Sequence, residues 1–237
     1  LPSQAWVRLV LAISLDGRLA PAAGGAAQLG GASDRRVMEE ALAWADGALL
    51  GSGTLRAHRS TCLIHDQDLL EQRLSAGLPA QPKVVVVSRQ QGHSLEWPFF
   101  QQPIQRWLLS SQQPTGEDST YPLPSAGYER QFLLASSWPQ TLNRLVEAGL
   151  SKLVLLGGAQ LLTSMLQDDA VDELQLTLTP RLLGGGHAWV PLQSLGLPAA
   201  LMSADSWCLQ EVKPLAGHEL LLRYWRHRPS SLPNGIS

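Results

Sequence analysis

The chain has 237 residues, is 44% hydrophobic and 16% charged, and carries a formal net charge of −2; this balance excludes a disordered polyelectrolyte. No basic field advertises nucleic acid, no polybasic run advertises an anionic membrane, and no apolar stretch approaches the roughly 20 residues of a membrane span. Cys62 and Cys208 have no metal or redox spacing, so the expectation is no metal and two idle thiols in a reducing cytoplasm.

The opening LPSQAWVRLVLAISLDG lacks the basic flank and cleavage site of a signal peptide. Its apolar part, WVRLVLAIS (6–14), reads as a buried strand stopped by the Asp16-Gly17 turn. After a Gly/Ala-rich loop (20–32), Ser33 is the expected N-cap of a helix over 34–45, with Asp34 in its first turn and Val37, Ala41 and Trp44 on its apolar face. GALLGSG (47–53) predicts a short strand ending in glycines, with Thr54 opening a brief helix. KVVVVS (83–88) is the clearest strand; RWLLS (106–110) and QFLLAS (131–136) are weaker ones, joined by a Pro/Gly/Ser-rich surface connection over 111–127. TLNRLVEAGL (141–150) predicts a helix closed by Gly149.

KLVLLGGAQLLTSML (152–166) predicts a strand, a glycine turn and a helix start, an arrangement that places unpaired backbone N–H groups where an anion can sit. The same glycines serve equally well as a tight turn for packing alone. VDELQLTLTP (171–180) alternates as a half-buried strand does, and GGG (184–186) reads as a flexible loop. The stretches 206–215 and 218–227, joined through Ala216-Gly217, predict a terminal antiparallel hairpin, with a frayed tail over 228–237. Strands alternating with helices, then a hairpin, predict one α/β domain over 1–237 with a central, mostly parallel sheet.

Three glycine-bearing turns follow strand-like runs: Asp16-Gly17, Gly51 to Thr54, and Gly157-Gly158-Ala159. They either converge on one ligand beyond the strand carboxyl ends or are ordinary α/β turns. Ser88 and Arg89, closing the strongest strand, offer a hydroxyl and a forked guanidinium suited to phosphate. His58, four residues beyond Thr54, is a candidate acid or base. His65, His187, His218 and His227 lack ligand spacing, and Asp168, Asp169, Asp172 and Glu173 read as a solvated acidic face. Neither a Gly-x-Ser-x-Gly elbow nor a Walker sequence occurs.

SLDGRLA (14–20), ADGALLGSGT (45–54), QPKVVVVS (81–88), LLGGAQLL (155–162) and VDELQLTLTPRLLGG (171–185) occur in an order that resembles the reductase domain of the bifunctional riboflavin-biosynthesis deaminase/reductase. The resemblance covers about residues 7–225 and extends to stand-alone pyrimidine reductases. It implies a dihydrofolate-reductase-like fold, a homodimer, and NADPH-dependent reduction of 5-amino-6-(5-phosphoribosylamino)uracil to the ribitylamino product. The zinc-binding signature of a deaminase is missing from the sequence.

By the same resemblance Ala12 and Thr54 lie beside the nicotinamide, Ser88 near the adenosine, and the stretch from Gly158 through Ala159, Gln160, Leu161, Leu162 and Thr163 to Ser164 at the pyrophosphate, with Gly157 before it. Asp16, Ser33, His58 and Leu156 are then the expected substrate neighbours. Five positions depart from the family pattern: Leu156 stands for a glutamate, His58 for an aspartate, Leu42 and His65 for arginines, and Val10 for a lysine. These departures fall on the substrate side and leave room for another small carbonyl, imine or pterin-like substrate, or for a non-catalytic nucleotide-binding relative.

Overall fold

Runs of β-branched and leucine side chains bounded by glycine or polar residues build the sheet. The computed structural model describes residues 4–24, 29–89, 93–111, 125–190 and 196–228. Among them nine strands form one sheet: β1 (Trp6–Ser14), β2 (Gly47–Gly51), β3 (Lys83–Ser88), β4 (Arg106–Ser110), β5 (Arg130–Leu133), β6 (Lys152–Leu155), β7 (Glu173–Thr179), β8 (Trp207–Leu215) and β9 (Glu219–Arg226). Their order is β5-β4-β3-β2-β6-β1-β7-β9-β8. Pairings among β1 to β7 are parallel, whereas β9 runs antiparallel to both β7 and β8. The expected mixed α/β sheet with a late hairpin is the one the chain adopts.

Successive residues of a strand point to opposite faces, and the two faces bury different helices. Leu9 and Leu155 meet α4 (Trp138–Glu147) and α5 (Ala159–Gln167) through Leu145, Leu162 and Met165. Val10 and Val154 meet Ala41 of α1 (Ala32–Trp44) on the other face. There α2 (Ser52–His58) packs Leu55 against Val84 and Val86, and α3 (Gln67–Ser75) adds Leu69 beside Leu42. A short α6 (Ala199–Met202) precedes β8.

Several expectations need correction. The helix α1 starts at Ala32 with Gly31 as N-cap, so Ser33 lies inside its first turn. The Gly31 N–H donates to the Glu219 carboxylate at 2.7 Å, so the cap comes from β9, 188 residues away. β7 is not half-buried: Gln175, Thr177 and Thr179 are buried as fully as its leucines, because the sheet is covered on both faces there. The acidic run 168–173 is a solvated face only in part: Asp168 is exposed, Asp169 and Asp172 are half-buried, and Glu173 is buried. Asp169 and Asp172 pair with Arg226 and Arg228, Asp168 accepts the Trp138 N–H, and buried Glu173 pairs with Arg8 at 3.0 Å. Helix α3, with Asp66 capping the Leu69 N–H, carries too little apolar periodicity to stand out in sequence. Residues 112–124 of the polar connection and 229–237 of the tail lie outside the described residues. Among the described residues no helix is long and apolar enough to cross a membrane, and both cysteines are exposed.

Arg73 of α3, 2% exposed, closes α1 at its other end. Its guanidinium donates to the carbonyls of Leu42, Ala43 and Ala45 at 3.1, 2.9 and 2.7 Å, and its Nε donates to Pro79 at 2.8 Å. A cation there complements the partial negative charge of a helix C-terminus. Burial lowers the Arg73 pKa from its ordinary value, and the Asp46 charge opposes this. Replacement by an apolar side chain leaves those carbonyls without donors, so Arg73→Met should lose roughly 3 kcal/mol in urea unfolding.

Candidate active site at the strand carboxyl ends

The insertion of β6 between β2 and β1 brings two loop backbones into contact. Leu156 donates its N–H to Leu49 at 3.0 Å, and Gly51 donates to Gly157 at 3.3 Å. Gly157 and Gly158 have φ of +114° and +103°, a region that disfavours a side chain. A Cβ on Gly158 would stand 3.3 Å from Gly51 Cα and 3.4 Å from Thr54 Oγ1, so glycine is required by approach as well as by φ. No side chain caps α5.

Beyond these strand ends opens a cleft of about 1400 Å³. β1 contributes Val10 and Ala12, α1 contributes Asp34 and Arg35, and the β2–α2 segment contributes Gly51 to Thr54, Arg56 and His58. Ser88 and Arg89 come from the end of β3, and Leu156 to Leu161 from the β6–α5 loop. Ligands of open α/β sheets bind in such a crevice, at the point where strand order reverses.

A dinucleotide fits this surface on two counts. The first turn of α5 presents N–H groups with no capping side chain, where a pyrophosphate can sit, and the glycine pair leaves no Cβ in front of it. The far end carries the guanidinium groups of Arg56 and Arg89, a donor set suited to further anionic oxygens. The opposite end is walled by Val10, Met38 and Leu156. Its carboxylate, Asp34, is raised above the ordinary aspartate value by burial; a Thr177 hydrogen bond opposes the shift and the Glu219 charge adds to it. Among the described residues no cluster of His, Cys, Asp or Glu could hold a metal ion.

The family description "RibD C-terminal domain" matches residues 5–212. The chain belongs to the RibD C-terminal domain family. This bears out the resemblance to riboflavin-biosynthesis reductase domains, and solved structures agree on the fold of this RibD C-terminal domain. A pyrimidine reductase-like protein from Corynebacterium diphtheriae is 17% identical, with a TM-score of 0.75 and 96% of each chain covered. A diaminohydroxyphosphoribosylaminopyrimidine deaminase/5-amino-6-(5-phosphoribosylamino)uracil reductase from Thermotoga maritima is 18% identical, with a TM-score of 0.71; the match covers 94% of the present chain and 57% of that longer one. Dihydrofolate reductase from Enterococcus faecalis, solved with NADP(H), is 11% identical, with a TM-score of 0.54, 96% of this chain covered and all of that one. Comparison with the curated proteins found no match.

The sequence-derived candidates divide within this RibD C-terminal domain. Ala12, Thr54, His58, Ser88, Arg89, Leu156, Gly157, Gly158, Ala159, Gln160 and Leu161 all line the cleft. Leu162 and Thr163 do not: Leu162 is in the core, and the Thr163 hydroxyl donates to the Ala159 carbonyl at 2.7 Å. Ser33 and Asp16 lie outside the cleft lining as well. Asp16 instead ties two loops, accepting from Ser14 Oγ at 2.5 Å and from the N–H groups of Leu183 and Gly184 at 3.1 and 2.7 Å. The Ser14 bond, followed by those N–H bonds, lowers its pKa to about 2. Two of the three glycine turns therefore converge, and the Asp16-Gly17 turn does not. Of the departing positions, Leu42 is fully buried and His65 lies outside the cleft lining, whereas Val10, His58 and Leu156 face it.

The sequence offers Arg35, Arg36, Arg56 and Arg59 as nearby replacements for the missing phosphate-binding arginines, and Arg35 and Arg56 do line the cleft, but Asp34 and His93 do not stand out in it as site residues. Asp34 looks like any acid placed for a helix dipole, and His93 lies in a loop without periodicity.

Because the folded pKa of Asp34 exceeds its unfolded one, ionised Asp34 costs stability. That cost is absent below the ordinary value of 3.8 and grows as pH rises through the raised folded value. Asp34→Asn should therefore gain on the wild type as pH rises from about 3 to about 7, read from urea midpoints.

Proposed function

We propose that this chain is an NADPH-dependent reductase of a small molecule. The observation that carries this reading is the side-chain-free Gly157-Gly158 loop, opening onto the uncapped start of α5 across from Thr54. NADPH, when bound, supplies the hydride. In this reading the N–H groups of Ala159 to Leu161 hold the pyrophosphate, Thr54 and Ala12 flank the nicotinamide, and Ser88 and Arg89 hold the adenosine end. His58, one helical turn beyond Thr54, supplies the proton that balances hydride addition to a C=N or C=O carbon. His58→Ala should cut turnover by roughly 100-fold, measured across pH; wild-type turnover would remove His58 from this role.

The substrate that the family resemblance favours is 5-amino-6-(5-phosphoribosylamino)uracil, reduced at its ribosyl carbon. Arg35 is a cleft-lining group available for its phosphate. A second reading, a less polar carbonyl, imine or pterin-like substrate, is favoured by the apolar wall of Val10, Met38 and Leu156. A homodimer belongs to the same proposal, with Leu209 and Val212 of the exposed edge strand β8 available to be covered.

The test is calorimetric titration with NADPH and NADH, then absorbance of reduced nicotinamide with the ribosylaminopyrimidine phosphate added. NADPH binding with oxidation is expected; binding without oxidation would move the assignment to the second reading. Failure to bind either nucleotide would overturn both. Gly158→Ala should weaken NADPH binding about tenfold or more, because the added methyl needs a left-handed backbone and presses on Gly51.

A further inference from the structure

Helix α2 divides the cleft by its own periodicity. Thr54 and His58 are four residues apart and share one side, next to Gly158. Ser52 and Arg56 are also four apart, on a side turned by about 200° from the first. That second side meets the end of β3: Gly51 is paired with Val87, so Ser52 and Ser88 leave adjacent strands together.

On this side a chain of hydrogen bonds runs from the core to the cleft. The Tyr128 hydroxyl, in a residue 5% exposed, meets His93 Nδ1 at 2.7 Å, and its ring packs edge-on against Phe100. His93 Nε2 meets Ser52 Oγ at 2.9 Å, and that oxygen accepts from Arg56 Nη1, also at 2.9 Å. Burial and the Arg56 charge lower the His93 pKa, which favours the neutral ring. With Nδ1 protonated, Nε2 then accepts the Ser52 hydroxyl proton while Arg56 takes a lone pair of the same oxygen. Arg56 is exposed and forms no salt bridge among the described residues, so most of its donors stay available to a ligand.

We infer that Arg56, oriented by the Ser52–His93–Tyr128 chain, selects the 2′-phosphorylated dinucleotide over its unphosphorylated counterpart. This rests on the dinucleotide reading of the cleft proposed above. The group that distinguishes the two cofactors is a single phosphate on the adenosine ribose, and a forked guanidinium matches its oxygens. Arg56 lies on the side of α2 that faces Ser88 and Arg89, away from Thr54 and the hydride-transfer end. His93 and Tyr128 are positioning residues: they hold Ser52, and Ser52 holds one arm of the guanidinium.

The experiment is calorimetric binding of NADP+ and NAD+ to the wild type, Arg56→Ala, His93→Phe and His93→Gln, with thermal unfolding of each as a control. Arg56→Ala should weaken NADP+ about 10- to 100-fold, leave NAD+ within about twofold, and reduce the salt dependence of NADP+ binding. His93→Phe should weaken NADP+ about three- to tenfold with the salt dependence retained, and His93→Gln, which keeps a polar partner for Ser52, should restore part of the loss. If Arg56→Ala folds and keeps the wild-type preference for NADP+, this inference is overturned while the reductase reading stands. Equal losses of NADP+ and NAD+ in Arg56→Ala would likewise overturn it. A wild type that binds neither nucleotide would overturn both together.

Discussion

The architecture of the cleft depends on one close backbone approach, between Gly51 at the end of β2 and Gly157-Gly158 after β6. The end of β2 stays hydrogen-bonded to Leu156 and Gly157, the two residues that follow β6. A side chain at Gly51 or Gly158 would press on the facing backbone, at 3.3 to 3.4 Å from it. Because the two segments stay together, Thr54 on α2 and the first turn of α5 face a common space, and the end of β1 supplies its floor. Thr54, His58 and the first turn of α5 all inherit their positions from this contact.

Around that centre, long-range polar contacts settle where helices begin and end. Glu219 of β9 accepts the N–H of Gly31, the residue that precedes α1, and Arg73 of α3 donates to the carbonyls at its end. α1 is thus held between the antiparallel hairpin and a neighbouring helix, and its position sets where Asp34, Arg35 and Met38 enter the cleft. Glu173 and Arg8 form a buried ion pair beside the same hairpin, joined by the half-buried Arg223, with Trp6 Nε1 donating to Glu173 at 3.1 Å. Removing one member of such a group leaves an uncompensated buried charge, so the hairpin is tied electrostatically to the parallel half of the sheet.

The two ends of the cleft differ in chemistry. One end combines backbone donors and guanidinium groups, which suit the oxygens of a nucleotide. The other is apolar at Val10, Met38 and Leu156, with one carboxylate of raised pKa.

Strand runs such as WVRLVLAIS and KVVVVS, the glycine loop at 157–158 and the late hairpin were legible from local pattern, since periodicity and glycine's conformational range are properties of the chain itself. The family order of motifs also placed Thr54, Ser88 and Leu156 at the cleft. Local pattern failed where a distant group decided the outcome. Ser33 resembles an N-cap until Glu219 takes the Gly31 N–H; Asp169, Asp172 and Glu173 resemble a solvated face until Arg8, Arg226 and Arg228 arrive to pair with them. Asp16 has the residue type of a ligand contact, but the 181–184 loop occupies its oxygens. Sequence alone determined the strands and the glycine turn after β6, because both follow from neighbours within a few residues. Only the tertiary structure decided which polar side chains are spent on one another and which, like Arg56, are left facing the cleft, because those partners are brought together by folding and not by spacing.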